Sequence, residues 1–202
     1  MRISVVIFMT IFLWAFGSTA LAKDAMSVNL IGGAIFSRPK IQSRAQPVSS
    51  AGKADMSFGL GLYYRASRSV FEIDVLYSER HADLDTAIKE SFEAAFIQVP
   101  VLFGIAAGNA SSLSIGAQAS SGFGKIKRSV FGIGTLTPSF GQYGLQDLSI
   151  EAIASLKIEL FGGKSSGLGL DLRFAQGILD AALGVNDKWY YQDYSALLYY
   201  RF

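Results

Sequence analysis

Apolar residues recur at every second position in eight separate segments, and this alternation limits the possible folds more than any other feature of the chain. In one segment, Phe71, Ile73, Val75 and Tyr77 share a face, whereas four of the five residues between and after them are polar or charged. Because successive side chains of a β-strand point to opposite faces, a period of two predicts strands. The segments are residues 26–36, 56–64, 71–80, 97–105, 112–120, 148–160, 168–175 and 193–202.

The connections between these segments alternate in length. The longer ones are residues 37–55, 81–94, 125–147 and 177–189, and the shorter ones are residues 66–69, 107–111 and 161–167. Outer-membrane barrels combine tight periplasmic turns with larger external loops in this way. The sequence therefore predicts an all-β fold, an eight-stranded antiparallel up-and-down transmembrane β-barrel. A short helix is expected at the end of loop 81–94.

Periodicity alone does not separate a membrane barrel from a soluble one, because both alternate. Three features favour the membrane. Large aromatic residues recur near the strand ends, as in interfacial girdles, and the mean hydropathy is positive. The chain also ends with Leu198, Tyr200 and Phe202 at alternate positions, which resembles the signal that the outer-membrane insertion machinery recognises.

The N-terminus has the pattern of a secretory signal peptide. Arg2 gives a short positive start, an apolar stretch follows to Phe16, and Ala20 and Ala22 form the small-x-small cleavage pattern. We expect cleavage after Ala22, which leaves residues 23–202 as one barrel domain exported through the Sec pathway. The alternative, an uncleaved membrane helix, requires a longer apolar stretch of about 20 residues.

Composition excludes several classes of protein. The chain has no Cys, which rules out a disulfide scaffold and a thiolate metal site. Its 18 basic and 16 acidic residues are nearly balanced, so charge gives no argument for nucleic acid as a partner. A single histidine excludes a site built from several histidines. No cofactor is expected.

Three segments resemble a known family, the small outer-membrane β-barrel domain family, a porin-like group that includes PorT-type proteins. They are residues 97–105 (IQVPVLFGI), 168–178 (LGLDLRFAQGI) and 114–118 (SIGAQ), which has Ala117-Gln118 where the family often has Gly-Pro. The resemblance implies an eight-stranded barrel without a shared enzymatic activity. It also implies that a local bulge accommodates Pro100, which cannot donate a hydrogen bond to a β-ladder.

Charged residues occupy the polar faces of the predicted strands. The lumen of an eight-stranded barrel is only wide enough for side chains, and buried charges must be paired. We therefore predict a salt-bridged plug, with a small gated pore as the alternative. Its residues are Arg65, Glu72, Asp74, Arg80, Glu151, Lys157, Glu159, Asp171, Arg173, Asp193 and Arg201.

Two further groups could carry chemistry. His81 follows Ser78 and Glu79, and outer-membrane lipopolysaccharide deacylases pair His with Ser, but Ser78 and His81 have opposite strand parity and no nucleophile elbow is present. Residues 124–128 (GKIKR) are a basic patch that could meet lipopolysaccharide phosphates or be a solvated loop.

These observations predict a monomeric integral protein of the Gram-negative outer membrane, of structural or surface-interaction type, whose external loops form the contact surface. The alternatives are a narrow channel for ions or small solutes and a lipid-modifying enzyme. Expected partners are outer-membrane lipid, lipopolysaccharide, the insertion machinery and periplasmic chaperones.

Overall fold

A computed structural model describes residues 26–43, 49–85, 89–108, 110–143, 145–162, 166–180, 182 and 187–202. The strands are β1 (Met26–Ser43), β2 (Ser49–Ala66), β3 (Ser69–Asp85), β4 (Lys89–Ala107), β5 (Ser111–Val130), β6 (Gly134–Leu136), β7 (Leu148–Gly162), β8 (Gly167–Gly177) and β9 (Asp187–Arg201), with one short helix, α1 (Phe140–Tyr143). The predicted signal peptide, with Ala20 and Ala22, lies outside the described residues and stays a prediction.

Eight of these strands close into an antiparallel barrel. The pairing runs from β4 through β3, β2, β1, β9, β8 and β7 to β5, and β5 pairs with β4. The short strand β6 folds back on β5 beside the barrel. The predicted eight-stranded up-and-down topology is confirmed. In the described part of the chain, no helix is long and apolar enough to cross a bilayer.

An apolar band surrounds the barrel. Its outward residues carry no charge on any of the eight strands, from Val28 to Phe36 on β1 and from Leu148 to Leu160 on β7, for example. Aromatic rings border the band on both sides. Contacting ring pairs are Phe58 with Tyr77 and Phe174 with Tyr194 on one side, and Phe71 with Phe103 and Tyr200 with Phe202 on the other. Such girdles mark the two interfaces of a membrane barrel.

Leu170 faces outward on β8, between the two girdles. We expect Leu170→Lys to lower the free energy of unfolding by about 2–4 kcal/mol, because a charge near the bilayer midplane is costly. Leu170→Ile, the matched control, keeps the apolar surface and should have a small effect. Urea titration of the barrel in lipid vesicles measures both. Equal stability of the two variants would place this position outside the hydrocarbon.

The barrel is longer than the sequence predicted. The end with the short connections, where β1 starts and β9 finishes, is called the turn end, and the opposite end is called the extended end. Predicted loops 37–55 and 81–94 were wrong. Strand β1 continues to Ser43 and β2 already begins at Ser49, whereas β3 continues to Asp85 and β4 already begins at Lys89. The expected helix near residue 94 is also wrong, since those residues belong to β4.

Pro100 points into the lumen and is buried. It pairs in register with Gln118 of β5. On the β3 side, pairing stops after Val101 and resumes at Gln98 with no register shift. The expected bulge is therefore wrong: the ladder is interrupted beside the proline, where a donor is missing.

Candidate functional site

The lumen contains a lower charged layer, defined as Glu72 and Asp74 of β3, Lys157 of β7, and Asp171 and Arg173 of β8. All five residues are buried. They come from three strands, and each is inward-facing because its neighbours along the strand face the lipid. The structure thus brings together residues up to 101 positions apart.

Arg173 is the centre of the lower charged layer. Its Nη2 atom lies 2.6 Å from Asp171 Oδ2, 2.6 Å from Asp74 Oδ2 and 3.0 Å from Glu72 Oε1, and its Nε donates to Asp171 at 2.8 Å. Lys157 Nζ lies 2.5 Å from Glu72 Oε1 and 3.5 Å from Asp171 Oδ2. One guanidinium therefore holds three carboxylates from two strands.

The upper charged layer lies nearer the extended end and consists of Arg80, Glu151 and Asp193. Arg80 Nη2 lies 2.8 Å from Glu151 Oε1 and also contacts Asp193 Oδ2. Gln118 donates to Glu151 at 2.5 Å, and Ser149 donates to the same carboxylate at 3.0 Å. All three charged side chains are buried, so water does not screen these ion pairs.

Carboxylates outnumber cations in both layers. The lower charged layer has three acids and two bases, and the upper one has two acids and one base. Each layer therefore carries one excess negative charge when every group is ionised. The other three residues of the predicted set, Arg65, Glu159 and Arg201, are two bases and one acid, and they lie at the turn end.

Arg65 and Arg201 lie at that turn end. Arg201 pairs with Glu159 at 3.0 Å, and both are partly exposed. Arg65 donates to the backbone oxygens of Ser67 and Gly108. The assignment of Arg65 to a buried charge network was wrong, since its side chain reaches the rim and has no carboxylate among its described partners.

An aromatic core fills the lumen of the extended end. Most of these segments were predicted as loops, and the aromatic core was not predicted. Arg80 joins this core to the upper charged layer, with its guanidinium carbon 4.5 Å from the ring centre of Phe96 and 4.4 Å from that of Tyr191. The other buried members are Ala82, Leu84, Phe92, Ala94, Ile126, Phe140, Leu145 and Trp189.

His81, the first residue of predicted loop 81–94, lies on the outer surface of β3. Its backbone N–H donates to Asp55 Oδ2 at 2.7 Å, its Nδ1 contacts Asp55 Oδ1, and its Nε2 lies 3.1 Å from Glu93 Oε2. Ser78 points into the lumen and is fully buried. The barrel wall therefore separates the two residues, and a Ser78–His81 pair cannot form.

The basic patch of residues 124–128 belongs to β5. Ile126 is fully buried in the aromatic core. Lys127 pairs with Glu93 at 3.0 Å, and Arg128 makes two hydrogen bonds with Glu90 at 2.9 and 2.6 Å. The hydrogen bond from Lys127 holds the pKa of Glu93 below its usual value. These contacts tie Lys127 and Arg128 to β4.

No protein-family model matches the chain. No curated protein matches it either. Several solved structures have a similar fold. Neisserial surface protein A has a TM-score of 0.54 at 13% identity, over 87% of this chain and 97% of that one.

Two further structures agree. OprG from Pseudomonas aeruginosa has a TM-score of 0.55 at 12% identity, over 88% of this chain and 96% of that one. Ail, the attachment invasion locus protein of Yersinia pestis, has a TM-score of 0.51 at 16% identity, over 88% of this chain and 99% of that one. The chain therefore has the fold of small eight-stranded outer-membrane β-barrels, which confirms the fold that the family resemblance implied.

Proposed function

We propose that this chain is a surface-interaction protein of the outer membrane whose lumen does not conduct. The observation that carries the proposal is the filled lumen. Two charged layers and an aromatic core lie in series along the described part of the barrel. With the interior occupied by side chains, the extended end is the surface that remains for partners.

The extended end suits a contact surface because it is built from strands. Barrel strands β2, β3, β4 and β5 continue past the girdles, and their outer face carries charged residues held in ion pairs. Lys53 lies 2.8 Å from Asp83, and Lys127 lies 3.0 Å from Glu93. Such a surface keeps its shape and loses little conformational entropy on binding.

Conductance in planar bilayers tests the proposal against the narrow-channel alternative. We expect no steady current from the wild-type protein. Arg173→Ala should also stay closed, because the upper charged layer and the aromatic core still block the lumen. A steady current from the wild type would overturn the proposal and favour the channel. A current from Arg173→Ala alone would show that the lower charged layer is the only seal.

We further propose that the protein is not an enzyme. His81 is the only histidine, and among the described residues its ring contacts two carboxylates and no serine hydroxyl. The arrangement lacks the nucleophile that acyl transfer requires. Release of fatty acid from lipopolysaccharide or phospholipid by the wild type, with loss of release in His81→Ala, would overturn this proposal.

Assembly is proposed to follow the usual route of outer-membrane barrels. In this proposal the Sec pathway exports the chain, periplasmic chaperones deliver it, and the insertion machinery recognises its last strand. Leu198, Tyr200 and Phe202 support the last step, because Leu198 and Tyr200 lie exposed on the lipid side of β9, the strand that pairs with β1, and the exposed Phe202 directly follows it. The turn end is then periplasmic, and the barrel is monomeric within outer-membrane lipid and lipopolysaccharide.

A further inference from the structure

The lower charged layer contains more acidic groups than its cations can balance. All three of its acids are buried, and within the described part of the chain only Lys157 and Arg173 lie within 4 Å of their carboxylates. With every group ionised, one negative charge would stay uncompensated inside the barrel. Burial of an unpaired carboxylate is so unfavourable that the group usually binds a proton instead.

The strands around the layer supply no further counter-charge. Strand β2 contributes Tyr63 and β9 contributes Tyr199, whose ring centres lie 5.6 and 4.8 Å from Lys157 Nζ. Phenol groups carry no charge at neutral pH. The described lumen-facing residues of β1, β4 and β5 at this height are uncharged. Arg65 and Arg201 lie at the turn end, where their exposure lets water and salt screen them.

The hydrogen bonds show which acid of the layer is ionised. Asp171 accepts two hydrogen bonds from Arg173, at 2.8 and 2.6 Å, and one from Ser155 at 2.6 Å. Hydrogen bonds to a carboxylate favour its charged form. Asp74 accepts a single described hydrogen bond, from Arg173 at 2.6 Å, and its buried Oδ1 atom has no partner among the described residues. The excess charge therefore does not reside on Asp171.

Glu72 and Asp74 converge on one donor atom. They are two positions apart on β3, so both side chains point into the lumen. Arg173 Nη2 lies 3.0 Å from Glu72 Oε1 and 2.6 Å from Asp74 Oδ2. Two carboxylates that share a site in this way repel each other when both are ionised, and such pairs retain one proton between them.

A proton fits beside Asp74, whereas a metal ion does not. A Cβ atom placed on Gly61 would lie 2.0 Å from Asp74 Oδ1 and 3.1 Å from Ile31 Cδ1, so the oxygen rests against the glycine backbone beside a buried apolar side chain. The described residues include no group of acidic or histidine side chains arranged to hold a metal ion. A proton balances the charge without needing this space.

We propose that the lower charged layer is a proton-binding site in which Glu72 and Asp74 share one proton at neutral pH. With the proton bound, the layer has two positive and two negative charges. In the unfolded chain both carboxyl groups are ionised at neutral pH. Unfolding therefore releases the proton, and a rise in pH favours unfolding. The seal formed by this layer is strongest at neutral and mildly acidic pH and weakens as the solution becomes alkaline.

Infrared spectroscopy of the full barrel in lipid vesicles at pH 7 detects the proton. The carbonyl stretch of a protonated carboxyl group is separate from the carboxylate bands and shifts in D2O. Asp74→Asn and Glu72→Gln should each remove one carboxyl group from this band, because either substitution removes the excess charge and leaves the other residue ionised. Glu159→Gln, the matched control in the partly exposed ion pair at the turn end, should leave the band unchanged. A band that persists in either lumen variant would overturn the proposal.

The pH dependence of unfolding counts the proton independently. Between pH 5 and pH 7, the unfolding equilibrium constant of wild type should rise with pH more steeply than that of Asp74→Asn, by about tenfold per pH unit, as expected for one proton. Urea titration in lipid vesicles measures both constants, and heat-modifiable migration verifies that each variant is a folded barrel. Parallel pH profiles of wild type and Asp74→Asn would overturn the proposal.

Discussion

Arg173→Ala should lower the free energy of unfolding by about 3–5 kcal/mol, because its removal leaves buried carboxylates without a counter-charge. Arg173 reaches Asp171, Asp74 and Glu72 within 3.0 Å, and all of them are buried. After the substitution, only Lys157 remains to neutralise three acids. Urea titration of the barrel in lipid vesicles, followed by the loss of heat-modifiable migration, measures the change.

Two control variants separate the effect of the lost charge on stability from the effect of the lost side-chain volume. Arg65→Ala removes an equal side chain from the turn end, where its described partners are carbonyl oxygens, and it should have a much smaller effect. Asp74→Asn keeps the size of the side chain and makes the lower charged layer neutral, so it should not destabilise the barrel. If Asp74→Asn lowered the free energy of unfolding as much as Arg173→Ala, hydrogen-bond geometry rather than charge balance would determine the stability of the lower charged layer.

The sequence predicted the lumen-facing residues because strand parity is a local property. Glu72 and Asp74 alternate with Phe71 and Ile73, and one of these sets must face lipid. An apolar set on the lipid side assigns the charged set to the interior. This argument needs no knowledge of the other strands, and it placed most of the charged residues in the lumen.

Parity does not give the height of a residue along the barrel axis. Height depends on the stagger between strands, which long-range pairing sets. For that reason the sequence could not separate Arg80, which pairs with residues 71 and 113 positions away, from Arg173 in the other layer. It also could not show that Arg65 reaches the rim.

The extended end was predicted as loops because charged residues are frequent there. Outside the membrane, the outer face of a strand meets water, so the lipid-facing signal disappears and charges replace it. The inward signal persists, however: Ala82 and Leu84 continue the parity of Arg80, and Phe92 and Ala94 lead into Phe96. A search for apolar residues on the lumen parity alone would have found the aromatic core.

Arg80→Ala is the second substitution from which we expect a large loss of stability. It is also the sharper test of what a buried ion pair contributes to the free energy of unfolding. Its side chain is fully buried between Glu151, Asp193 and the rings of Phe96 and Tyr191. Arg80→Ala leaves two carboxylates uncompensated and opens a gap under the aromatic core. We expect a loss of about 3–5 kcal/mol in the free energy of unfolding.

Replacement of the whole upper charged layer should have the opposite outcome. The desolvation of three charges offsets most of their mutual attraction, so a well-packed apolar substitute is often neutral or stabilising. We therefore expect Arg80→Met combined with Glu151→Leu and Asp193→Leu to unfold within about 1 kcal/mol of wild type, or at a higher urea concentration. Urea titration in lipid vesicles measures the free energy of unfolding of Arg80→Ala and of the triple variant. A triple variant as unstable as Arg80→Ala would show that the layer's hydrogen bonds with Gln118 and Ser149 make a net contribution to stability that apolar packing cannot replace.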